Sequence, residues 1–191
     1  MATRIVITGA PASGKSEFVQ RLKRRPDFSD FLFFDELARQ LLSQNPDIRH
    51  DWMGFHLEIY RRQTEREQLA AGQSFVTDRG TLDAFAFHPE AMSAVGTTVE
   101  REYKRYDSVI HLGSAALLGG EFYRNDIVRR ETIDEALEIE RVIAHVWSGH
   151  PGYQFLPARS DYEAKFTEFL STIMAATGRP ALDNHSTTAS L

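Results

Sequence analysis

Arg4-Ile5-Val6-Ile7-Thr8 runs directly into Gly9-Ala10-Pro11-Ala12-Ser13-Gly14-Lys15-Ser16, and that octapeptide fits the pattern GxxxxGK[ST] at every fixed position. A short apolar strand ends in this loop, and Phe18, Val19 and Leu22 continue behind it at helical spacing, which predicts a strand–loop–helix unit built to cradle phosphates. The reasons are local. Glycine lets the backbone turn back tightly and approach phosphate oxygens, while successive N–H groups and the start of the following helix make a concave, partly positive nest. Gly9, Ala10, Pro11, Ala12, Ser13 and Gly14 are therefore expected to wrap the phosphates, with Lys15 reaching the β- and γ-phosphates and the Ser16 hydroxyl ligating a magnesium ion. An ordinary glycine-rich turn would leave unexplained why Lys and Ser open the helix.

Outward from this unit, Arg4–Thr8, Phe31–Phe34, Ser74–Thr77, Ser108–Leu112 and Tyr153–Leu156 read as strands separated by helical segments. Their apolar runs are nearly continuous rather than alternating, as expected of a parallel sheet covered on both faces, and their spacing suits βαβ crossovers. The expected fold is thus a three-layer α/β P-loop fold of about five parallel strands with a short lid. Thr97 with Glu100, Thr132 with Glu135 and Ser160 with Glu163 match the capping-box spacing at helix starts. From Thr132 to Ser148, Ile133, Leu137, Ala144 and Trp147, widened by Ala136, Ile143 and Val146, predict a helix with one apolar stripe. One domain is expected over residues 1–178, followed by a flexible tail over 179–191 that has little apolar surface to bury.

The chain has 191 residues, 42% of them hydrophobic, which suffices for one substantial core. A net charge of −5 offers no global field for DNA, and the run Arg21-Leu22-Lys23-Arg24-Arg25 reads as a solvated helix end. Without cysteine there is no disulfide framework and no thiolate metal site. No apolar stretch approaches a membrane span, and the first strand begins within a few residues of the amino terminus, so a cytoplasmic protein is expected.

Ligands of such sheets gather beyond the carboxyl ends of the strands, so residues just after each apolar run are the first candidates. Asp78-Arg79 follows Phe75-Val76-Thr77: Asp78 is expected to hold magnesium, and Arg79 to neutralise phosphate charge or orient an acceptor. Asp35-Glu36 follows Phe31–Phe34 and admits two readings. It superficially resembles the acidic pair of a motor-type ATPase, but it lies only about one βα unit beyond the loop, whereas such acids belong further along the chain. A carboxylate at the end of a second strand instead suits a small-molecule kinase, taking the proton of an acceptor hydroxyl. Asp35 is the first choice for that base and Glu36 the second. Cations over the migrating phosphate are expected from a lid at about 119–131, with Gly119-Gly120 as hinge and Arg124, Arg129 and Arg130 as its guanidinium groups. Trp52-Met53-Gly54-Phe55-His56, the helix carrying Ile59, Tyr60 and Gln63, and the cluster from Asp83 to His88 supply side chains suited to reading an acceptor.

The histidines show no HExxH pair, and neither a GxSxG elbow nor a GxGxxG fingerprint is present, so a metalloprotease, a serine hydrolase and a dinucleotide oxidoreductase are not indicated. The guanine-reading NKxD pattern is absent as well, which makes ATP the expected donor and GTP the alternative.

Taken in order, Gly9–Ser16, Asp35-Glu36-Leu37-Ala38-Arg39, Thr77-Asp78-Arg79-Gly80-Thr81-Leu82-Asp83, Tyr106–Leu112, Arg129-Arg130-Glu131 and Trp147-Ser148-Gly149-His150-Pro151 resemble the AAA-type ATP-binding P-loop family. That family is related to nicotinamide riboside kinase domains and includes translocation-defect-type proteins that bind GTP and phospholipid. The resemblance spans most of residues 3 to 175. It implies Lys15 and Ser16 on phosphate and magnesium, Asp78 and Arg79 in the active cleft, a lid arginine near Arg129 or Arg130, and Glu36 with Arg39 at the acceptor side. The expected activity is transfer of the γ-phosphoryl group of ATP to a small hydroxyl-bearing acceptor such as a nucleoside. A nucleotide-binding switch or slow NTPase acting on a protein or lipid partner is the alternative.

Overall fold

The computed structural model describes residues 2–44, 48, 50–123 and 131–180. Five strands, β1 (Arg4–Thr8), β2 (Leu32–Phe34), β3 (Phe75–Asp78), β4 (Ser108–Leu112) and β5 (Tyr153–Leu156), form one sheet in the order β2-β3-β1-β4-β5. Every pairing is parallel, with Ile7 opposite both Asp78 and Ile110. The helices are α1 (Lys15–Lys23), α2 (Leu37–Gln44), α3 (Trp52–Leu69), α4 (Ala91–Ala94), α5 (Val99–Tyr103), α6 (Ile133–Trp147) and α7 (Tyr162–Ala176). From β1 the chain goes out to the edge strand β2, returns to β3 beside β1, and then crosses to β4 and β5 on its other side, so the loop after β1 sits where the strand order reverses, the usual ligand position in such sheets.

Side-chain alternation along β1 explains why its sequence is uniformly apolar. Ile5 and Ile7 enter a core with Phe18, Leu22 and Phe169 from α1 and α7, while Val6 enters a second core with Ile143 and Trp147 from α6. Both faces are therefore buried, giving three layers, and the expected fold class is the one observed. Trp147 is fully buried, and its truncation to Ala should cost about 3–5 kcal/mol.

Local details differ from expectation by single residues. Thr132 caps α6 in a complete capping box with Glu135. Thr98 rather than Thr97 caps α5, because Thr97 hydrogen-bonds the buried Glu102 carboxylate instead. Asp161 rather than Ser160 caps α7, its carboxylate accepting the Ala164 N–H at 2.9 Å. The buried line of α6 is Ala136, Glu140, Ile143 and Trp147, with Leu137, Ala144 and Val146 only partly covered, so the stripe contains a carboxylate. Arg179 is packed, donating to Asp30 at 2.6 Å and lying 5.0 Å over the rings of Phe28 and Phe31. Residues 181–191 of the expected tail lie outside the described residues. Among those described, no helix is long and apolar enough to cross a membrane.

Candidate active site

The loop after β1 takes a shape that its residue types dictate. Gly9 has φ 141°, and a Cβ there would stand 2.3 Å from the Leu112 carbonyl oxygen, so β4 leaves room only for glycine. Gly14 has φ 88° and turns the chain into α1, while Ala12 is also left-handed at φ 60°. Lys15, the first residue of α1, is buried and folds back over the loop, its Nζ donating to the Ala10 carbonyl at 3.2 Å and to Ser13 Oγ at 3.3 Å.

A cavity of about 240 Å³ opens beside this loop, beyond the carboxyl ends of the strands, with Lys15, Ser16, Glu36, Asp78 and Arg79 at one side. Ser16 Oγ donates to Asp78 Oδ2 at 2.7 Å. Asp78 is 2% exposed, and its Oδ1 has no hydrogen-bond partner among the described residues. Burial pushes the Asp78 carboxyl above the usual range, opposed by Lys15 and reinforced by Glu36. A buried, half-satisfied carboxylate next to a serine hydroxyl is the donor set that a hard divalent cation takes, and such a cation would relieve the burial of its charge. The residues fit magnesium.

Arg79, the first residue after β3, has φ 75°, a left-handed conformation that a non-glycine residue adopts only when its surroundings hold it. Its guanidinium is held from both sides, Nε donating to Glu36 Oε1 at 3.0 Å and Nη1 to Asp83 Oδ1 at 3.1 Å. Asp83 in turn accepts from Thr8 Oγ1 at 2.5 Å, the Gly80 N–H at 2.9 Å and Trp147 Nε1 at 3.2 Å, so it is a structural anchor beneath the site. Burial tends to raise the Glu36 carboxyl, but Arg79, Lys15 and Arg39 outweigh it and hold the group at about 2. Burial likewise lowers Arg79, and Glu36, Asp83 and Asp78 more than offset that, so the guanidinium stays charged.

Asp35 does not line the cavity. Its carboxylate turns away from the cavity, accepting Gln20 Nε2 at 2.8 Å and lying 4.0 Å from Lys23 Nζ, with its side chain 46% exposed. Adjacent residues at the end of a strand point to opposite sides, and here Glu36 takes the inward one. Arg39 lines the cavity as well. Arg124, Arg129 and Arg130 lie outside the described residues; of the expected lid, Glu131 lines the cavity, with a buried Oε2 that has no partner among the described residues.

The other side of the cavity is aromatic. Trp52, Phe55 and His56 come from the first turns of α3, and Phe87 from the segment after β3. The His56 ring stacks on Phe87 at 6.3 Å and lies 5.2 Å from His88. Its Nδ1 is buried without a partner among the described residues, and burial, with His88 and Arg79, lowers the imidazole to about 4. Gln63, the amide that sequence reading offered for acceptor contact, is already engaged: its Nε2 donates to Glu67 at 2.5 Å and to Thr77 at 3.0 Å, and its Oε1 accepts from Arg66.

With this geometry in view, a family model described as an AAA domain matches residues 4–165. The chain belongs to that family. No curated protein sequence matches it significantly. In fold, this AAA-domain chain is similar to deoxyadenosine kinase from M. mycoides, in a structure with bound dATP: TM-score 0.60, 12% identity, covering 90% of this chain and 98% of that one. A second structure of that enzyme, with products dCMP and a flexible dCDP bound, gives TM-score 0.62 and 10% identity, covering 91% of this chain and 100% of the other. At that identity the likeness shows the fold, a P-loop kinase fold, over nearly the whole of both chains.

Proposed function

We propose that this AAA-domain protein is a magnesium-dependent kinase that transfers the γ-phosphoryl group of ATP to the hydroxyl of a small acceptor such as a nucleoside or related metabolite. The observation that carries the reading is one cavity containing Lys15, the Ser16–Asp78 pair with its unsatisfied oxygen, and the Glu36–Arg79 pair. The kinase fold supports it, as does the aromatic wall of Trp52, Phe55, His56 and Phe87, suited to a planar acceptor.

In this scheme the backbone from Gly9 to Gly14 wraps the phosphates and Lys15 leaves its loop contacts for the β- and γ-oxygens. Ser16 and Asp78 would hold magnesium, which when bound supplies charge neutralisation to the triphosphate. The acceptor oxygen attacks the γ-phosphorus in line, the bond from phosphorus to the ADP oxygen breaks, and the hydroxyl proton passes to Glu36. A carboxyl held at about 2 is a weak base, so Glu36 works first by accepting the hydroxyl hydrogen bond and aiming the oxygen, and receives the proton late, when the forming phosphate ester makes it acidic. Arg79 spreads the charge of the transferred group. Arg124, Arg129 and Arg130 complete the scheme as lid cations.

Labelled ATP, and separately labelled GTP, incubated with pooled nucleosides and a metabolite extract tests the reading. Label in a new phosphorylated small molecule is the expected result. Release of inorganic phosphate alone would favour the switch or NTPase reading, and label on a 5′-hydroxyl oligonucleotide would favour a polynucleotide-end kinase.

A further inference from the structure

Two charged side chains that take no part in this scheme are buried against the P-loop. Glu140 on α6 is 6% exposed and Lys165 on α7 is 4% exposed, and neither lines the cavity. Glu140 Oε2 accepts the Ala10 N–H at 3.1 Å. Lys165 Nζ donates to the Ser13 carbonyl at 2.8 Å and to the Gly113 carbonyl at 2.6 Å. Burying a charge is unfavourable unless its surroundings compensate it. Here the hydrogen-bonding partners come largely from loop backbone, so the compensation lasts only while the loop keeps this shape.

Glu140 is itself held in place. Its Oε1 lies 3.1 Å from His111 Nε2, within ion-pair range though off the direction of a good hydrogen bond. His111 is fully buried on β4, and its Nδ1 is 2.8 Å from the Tyr153 hydroxyl on β5. Residues of α6, β4 and β5 thus converge on one loop amide, while α7 holds a loop carbonyl. The Ser114 hydroxyl adds a bond to the Pro11 carbonyl at 2.5 Å.

We propose that Glu140 and Lys165 are positioning residues for the nucleotide: one takes a loop N–H and the other a loop carbonyl, and together they set the P-loop in its receptive shape before the triphosphate arrives. A loop already ordered loses less conformational freedom on binding, so the clamp acts on nucleotide affinity rather than on the acceptor. The inference rests on Gly9–Ser16 being the phosphate cradle. It requires the reach of the side chain at 140 to matter more than its charge.

Calorimetric titration of the whole chain with magnesium ATP tests it, using Glu140→Gln, Glu140→Asp and Lys165→Met. Glu140→Gln keeps an oxygen at the same reach and should bind within about threefold of the parent, whereas Glu140→Asp keeps the charge but withdraws the oxygen and should bind about tenfold more weakly, as should Lys165→Met. Hydrogen exchange at the Ala10 amide should quicken in Glu140→Asp and stay slow in Glu140→Gln. A purely structural role would instead make affinity follow thermal stability across the set. Parent-like affinity in Glu140→Asp, equal losses in the Gln and Asp variants, or unaltered Ala10 exchange would each overturn the clamp. If Lys165→Met does not fold, the Gln and Asp pair decides for Glu140, and Lys165→Gln, read by the same titration, decides for Lys165. A parent protein that binds no nucleotide would instead sink the underlying reading of the loop.

Discussion

On the phosphate side of the cavity, the groups follow one another along the chain from Gly9 to Ser16, and their placement is set by φ angles at Gly9, Ala12 and Gly14 and by the start of α1. The rest of the lining, Glu36, Trp52, His56, Arg79 and Phe87 among it, comes from several segments, and packing and ion pairs bring them together. The first kind of site fails at single residues, whether of the loop itself or of the side chains that hold it. The second depends on how α2, α3 and the segment after β3 pack, so its failures should be graded.

The sharpest way to break that contrast is Lys15→Ala, which should lower phosphoryl transfer by about 10³-fold, read as labelled product per minute. Retained nucleotide affinity and turnover would remove the phosphate side from the argument. Next, Glu36→Gln should reduce turnover by about 10²-fold, while Asp35→Asn stays within about twofold because its carboxylate faces Gln20 and solvent. The reverse order would favour Asp35 as the base. On the aromatic side, His56→Ala should raise the acceptor KM by about tenfold and leave nucleotide affinity unchanged, since His56 stands in the wall with Trp52, Phe55 and Phe87. Equal effects on both ligands would erase the distinction between the two sides.

The smallest expected effect is on stability in acid. Glu36 is depressed from 4.5 to about 2, so its ion pair with Arg79 contributes stability that is fully present above about pH 4.5 and lost as pH falls toward 2. Denaturant midpoints measured from pH 6 to pH 3 should fall less steeply in Glu36→Gln than in the parent. Identical slopes would mean that the pair contributes nothing measurable.

The same contrast accounts for what could be read from residues alone. The P-loop and the five strands were legible because each is encoded in a contiguous stretch: a loop motif, and apolar runs covered on both faces. The choice between Asp35 and Glu36 was not legible, because it depends on which neighbour faces the cavity, and a one-residue step reverses that. Gln63 looked available because its engagement with Glu67, Thr77 and Arg66 joins residues that sequence does not place together. Glu140 left a signal that went unused: it sits between Ala136 and Ile143 on the apolar line of α6, where a carboxylate needs a partner. Lys165 left the same signal, standing in line with Phe169 and Ile173 on the apolar face of α7, whereas nothing comparable announced His56.

Position 79 has a consequence for tracing the history of this fold. Its backbone favours glycine, yet an arginine stands there, restrained by Glu36 on one side and Asp83 on the other. The residue best for the chain and the residue best for the cavity differ, and the protein keeps the second. A descendant relieved of its chemistry should therefore drift toward glycine at this position, with Glu36 free to drift alongside it, which makes the pair a marker for relatives that have kept the reaction and those that have kept only the shape.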